Sequence, residues 1–75
     1  MKTKIKNLMA SIFDEDASQI DEQASPDSIA KWDSLGHMNL IVALEEEFGV
    51  TFTDDEIPEM LNFEIIYLVL KSRIG

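Results

Sequence analysis

AKWDSLGHMNLIVALEEEFG, residues Ala30–Gly49, places a serine between an aspartate and a leucine at the head of an amphipathic run. The run predicts a helix from Ser34 to about Phe48, opened by Asp33 or Ser34 as N-cap and closed by Gly49, where a left-handed residue is favoured. With Leu35 at zero and about 100° per residue, Leu40, Leu44, Phe48 and Ile41 fall between about 140° and 240°, a stripe wide enough to face a core. Met38 and Val42 fall at about 300° and 340°, beside Leu35, and form a second apolar stripe. Asn39 and Glu46 flank it on one side and Glu45 on the other. A small bundle has little left to cover this second stripe. It either packs under a loop or forms an exposed apolar strip rimmed by carboxylates, the anatomy of a partner-binding surface. Methionine suits such a strip, because its unbranched side chain repacks easily against different partners.

Working outward from this helix, Ile5, Leu8, Met9, Ile12 and Phe13 recur at helical spacing and predict a first helix from about Lys2 to Phe13. Asp14–Asp33 has weak periodicity. It reads as a long connection with a turn at Ser25-Pro26-Asp27-Ser28, packed by Ile20, Ala24, Ile29 and Trp32. Beyond Gly49, Val50-Thr51-Phe52 is extended, and Thr53-Asp54-Asp55-Glu56 matches the capping box that opens a short helix carrying Pro58. Asn62 caps a last helix whose Phe63, Ile66, Tyr67, Leu70 and Ile74 keep the helical period. The expected fold is all-α: a small four-helix bundle of three main helices and one short one in a single domain over residues 1–75, with a long loop between helices one and two.

Composition narrows the function. A chain of 75 residues has a small core, which argues against a deep enzymatic cleft. With no cysteine there is no disulfide, no thiolate chemistry and no Cys-based zinc site. The longest apolar run, Ile65–Leu70, is six residues, far below the ~20 needed to span a bilayer. The chain reads as soluble, cytoplasmic and monomeric. All fifteen acids lie between Asp14 and Glu64, where Lys31 is the only base, so this segment carries −14 and the ends +5, for a total of −9. Such a balance repels nucleic acid and favours basic protein surfaces, unless the acids serve only solubility. Neither Asp14-Glu15-Asp16 nor Asp54-Asp55-Glu56 has the spacing of a calcium loop, and no metal site is expected.

Ser34 itself has two readings: a helix N-cap, or a hydroxyl used for covalent attachment where free N–H groups and the helix dipole favour a phosphate. A hydrolase with Ser34 as nucleophile and His37 one turn away is a weak rival, because Trp32-Asp33-Ser34-Leu35-Gly36 is not a G-x-S-x-G elbow. His37 is instead read as a surface or second-turn residue.

Asp33-Ser34-Leu35, the following "LIVALEEEFGV" and the acidic capping box together resemble an acyl carrier protein over nearly the whole chain. The resemblance implies that a phosphopantetheinyl transferase attaches the 4'-phosphopantetheine arm of coenzyme A to Ser34, flanked by Asp33 and Leu35. Acyl groups would ride on its terminal thiol as thioesters, supplying the sulfur that the chain lacks. It also implies that Asp33, Leu35, Met38, Asn39, Val42, Glu45 and Glu46 face the basic docking patches of acyl-loading and acyl-transferring enzymes. Leu44, Ile57 and Leu61 are candidates for lining an acyl pocket. Gly36 and Asn39 stand where typical fatty-acid carriers have acids, which points away from the housekeeping fatty acid biosynthesis partners and towards a specialised lipid or polyketide-type pathway. An aminoacyl (D-alanyl) carrier and an unmodified acidic docking module remain alternatives.

Overall fold

The structure, a computed structural model, describes residues 1–74. Three α-helices carry it: α1 (Lys2–Phe13), α2 (Ser34–Phe48) and α3 (Phe63–Ile74), with no strand among the described residues. Ile5, Met9 and Phe13 of α1 are fully buried, and Leu8 and Ile12 pack against the core's edge. They meet Leu40, Ile41 and Leu44 of α2 and Phe63, Ile66 and Leu70 of α3 in one apolar cluster. The first stripe on α2 is therefore the core stripe. Phe48 is its half-buried margin, and Ile74, expected to continue the stripe of α3, is exposed at the helix end.

Local chemistry sets the helix boundaries at Asp14, Gly49 and Asn62. Gly49 takes the left-handed conformation at φ 64°, where a side chain would be strained. Asp14 does the same after α1, at φ 54°, one of the few non-glycine residues that tolerate it. Asn62 caps α3 by accepting the Ile65 N–H at 2.8 Å.

The 14–33 connection satisfies its own backbone with short polar side chains. Asp16 Oδ1 accepts from Ser18 N–H at 3.1 Å and Asp21 Oδ1 from Gln23 N–H at 2.9 Å, around a 3-10 turn at Ala17–Gln19. Ile20, Ala24, Ile29 and Trp32 turn inward and are buried, and Phe63 N–H donates to Ala24 O at 2.9 Å, fastening the connection to the start of α3.

The expected fourth helix is not an α-helix but a single 3-10 turn, Ile57–Glu59. Its capping box forms, with Thr53 N–H donating to Glu56 Oε1 at 2.9 Å and Glu56 N–H to Thr53 Oγ1 at 3.2 Å. The segment behind the box is too short to offset helix nucleation, and Pro58 has no N–H with which to continue an α-helical ladder.

Arg73 at the end of α3 donates to Thr51 O and to Glu56, clasping this segment. The Thr53 N–H and Arg73 hold the Glu56 carboxyl below the usual glutamate range. The lowered pKa means that this stabilisation is complete above the unfolded value and is lost as the pH falls through the folded one. Stability is therefore expected to fall below about pH 4, and Glu56→Gln to flatten that limb in urea titrations across pH. An unchanged acid limb would show that the clasp contributes nothing.

Candidate functional site

Asp33 is extended (φ −95°, ψ −170°), and its Oδ1 accepts the Gly36 N–H at 2.8 Å. This is the N-cap bond of α2. The cap therefore belongs to Asp33 rather than Ser34, which becomes the first helical residue, with an exposed side chain at the positive end of the helix. The hydroxyl stands where backbone N–H groups and the dipole favour a phosphate.

Gly36, in the first turn of α2, is closely approached by two other segments. A Cβ placed there would lie 2.2 Å from Lys31 O and 3.2 Å from the Phe13 ring. The glycine is buried and turned inward, so its departure from the acidic pattern concerns packing and not the exposed face.

His37 is not a surface residue; it is 7% exposed. Trp32 Nε1–H donates to His37 Nδ1 at 3.0 Å. Because an indole nitrogen only donates, Nδ1 accepts and the ring proton lies on Nε2, which donates to Ile57 O at 2.7 Å. The imidazole stacks on Trp32 (centroids 6.2 Å apart, planes at 20°), and Trp32 stacks on Phe13 (5.2 Å, 25°). With both nitrogens committed, His37 has no lone pair for the Ser34 hydroxyl, which removes the base from the hydrolase reading. The sequence held one clue: a buried Trp32 needs an acceptor, and His37 lies within reach of it.

An open, mostly apolar groove of about 540 Å³ begins at Ser34. Trp32, His37 and Met38 line it from the α2 side, and Ile57 and Leu61 from the segment before α3. Two of the three pocket candidates thus border the groove. The third, Leu44, lies at the centre of the core stripe with no exposed surface and does not line it.

Along the outer side of α2, Leu35, Met38 and Val42 are 72%, 47% and 48% exposed, with Asn39 and Glu46 exposed beside them. The 14–33 connection leaves this second stripe uncovered. Glu45 is only partly available. It is half-buried, and its Oε2 accepts the Phe52 N–H at 2.9 Å, holding the chain as it leaves Gly49.

The phosphopantetheine attachment site family matches residues 3–62. Over 72 residues the chain is 30% identical to an acyl carrier protein of Thermosynechococcus vestitus, covering 96% of this chain and 89% of the relative. It is also 27% identical over 74 residues to the polyketide-8 synthase acyl carrier protein 2 of Streptomyces avermitilis, covering 99% and 85%. The chain belongs to the acyl carrier protein family. The group carried in this family is a covalently attached 4'-phosphopantetheine, and an exposed hydroxyl at a helix N-terminus beside an apolar groove fits its phosphate and its arm. Among the described residues, no helix is long and apolar enough to cross a membrane.

Proposed function

We propose that Ser34 carries the 4'-phosphopantetheine arm and that the chain ferries acyl thioesters on it between cytoplasmic enzymes. The observation that carries this reading is the division of labour at the head of α2: Asp33 caps the helix and leaves the exposed Ser34 side chain at the dipole's positive end. The Ser34 oxygen forms the phosphodiester, the adenosine bisphosphate part of coenzyme A leaves, and a phosphopantetheinyl transferase takes up the hydroxyl proton.

Leu35, Met38 and Val42 are the apolar docking strip, and Asn39 and Glu46 its polar rim. Glu45 adds charge from a fixed position. The rim is acidic towards the end of α2 and neutral just after the serine, which supports partners whose basic patch is offset from the arm. Together with the polyketide-type relative, this favours a specialised lipid or polyketide-type pathway. The apolar lining of the groove favours an acyl cargo over a D-alanyl one, because a charged ammonium would lose hydration there without a partner.

Intact mass after incubation of the apo-protein with coenzyme A, magnesium and a broad-specificity phosphopantetheinyl transferase tests the reading. A gain of one phosphopantetheinyl group is expected. A folded apo-protein that gains nothing with several transferases is an unmodified docking module instead.

A further inference from the structure

His37 lines the groove and at the same time hydrogen-bonds two other lining residues from separate segments, Trp32 before α2 and Ile57 in the 3-10 turn. We propose that His37 is a positioning residue that holds the groove beside Ser34 at a fixed width, and so sets which acyl chains it shelters. The proposal rests on Ser34 carrying the arm.

A buried histidine that merely satisfied its own nitrogens could do so within one segment. This one ties three together. Its Nδ1 holds the indole that stacks on Phe13, and its Nε2–H holds the carbonyl of a turn that Pro58 keeps out of an α-helix. The 57–59 turn lacks the hydrogen-bond ladder of a helix, so its place relative to α2 depends on such links. Phenylalanine at position 37 would keep the ring and the stack but drop both bonds, leaving the Trp32 N–H and the Ile57 carbonyl to water. The two sides of the groove would then part. Glutamine keeps one donor and one acceptor and can re-form part of the link.

Wild type, His37→Phe and His37→Gln are each loaded from acetyl- or dodecanoyl-coenzyme A, loading is verified by intact mass, and thioester cleavage by hydroxylamine is timed below the unfolding range. Loading is carried to completion in all three before cleavage is timed, so that differences in loading rate do not enter the ratio. In wild type the dodecanoyl thioester should be cleaved more slowly than the acetyl one. In His37→Phe that ratio should shrink by about fivefold, the effect of one net hydrogen bond on an opening equilibrium, and His37→Gln should recover part of it. The Trp32 emission maximum should shift on dodecanoyl loading in wild type and less in His37→Phe. A wholly structural role would lower stability but leave the ratio alone. Equal ratios in three fully loaded proteins, or no chain-length dependence in wild type, would overturn the proposal. Failure of wild type to load would instead overturn the carrier reading beneath it.

Discussion

Ser34→Ala is expected to gain no phosphopantetheinyl group under conditions that load the wild type fully, while its stability moves by no more than about 0.5 kcal/mol. The separation follows from the head of α2. Had Ser34 been the cap, its loss would have cost the helix an N–H partner, and activity and stability would have fallen together. Asp33 makes that bond, so the serine side chain contributes little to the fold. Asp33→Ala should show the reverse emphasis. It removes the acceptor of the Gly36 N–H, costs about 1 kcal/mol, and slows loading without abolishing it. Intact mass and urea unfolding of the two variants, run side by side, check both halves. Attachment persisting in Ser34→Ala would move the site to another hydroxyl, and a stability loss equal to that of Asp33→Ala would return the cap to Ser34.

The three main helices were legible because burial is periodic: Ile5, Met9 and Phe13, then Leu40, Ile41 and Leu44, then Phe63, Ile66 and Leu70, each repeat at the spacing of one helical face. Gly49 and Asn62 were legible because capping chemistry is local. The place of Ser34 at the head of α2 and the exposure of Leu35, Met38 and Val42 were legible for the same two reasons. What stayed hidden depends on contacts between distant segments. The fate of Glu45 is fixed by Phe52, seven residues on, and that of His37 by a carbonyl twenty residues away. No period or cap encodes either. Leu44 was assigned to the pocket by resemblance, although its angle on the helical wheel already placed it at the centre of the core stripe. The capping box at Thr53 was legible as chemistry and so was a short helix behind it, but its 3-10 form was not, since a cap satisfies N–H groups without fixing how many turns follow.

Gly36→Ala is expected to destabilise by about 3 kcal/mol, at the upper end of the range for overpacking, against the gain of about 1 kcal/mol that alanine normally brings to a helix. The sign is decided by what the new methyl would meet. Lys31 O, at 2.2 Å, is backbone and cannot rotate away as a side-chain tip would, and the Phe13 ring behind it is fixed by its stack on Trp32. Relief requires the chain before α2 to move outward, carrying Trp32 and Asp33 with it. Loading should therefore slow by more than the unfolded fraction accounts for, because the Asp33 cap is displaced even in the folded protein. Gly36→Glu, which would place an acid beside the serine as in typical fatty-acid carriers, is expected not to reach the native fold, since it would press a carboxylate against a carbonyl oxygen in a buried site. Urea unfolding, with loading rates measured well below the transition, tests both variants. A Gly36→Ala protein more stable than wild type would mean that the segment at Lys31 stands further from α2 than this geometry has it. The neutral stretch after Ser34 would then reflect selection on the docking face rather than the packing of the helix beneath it.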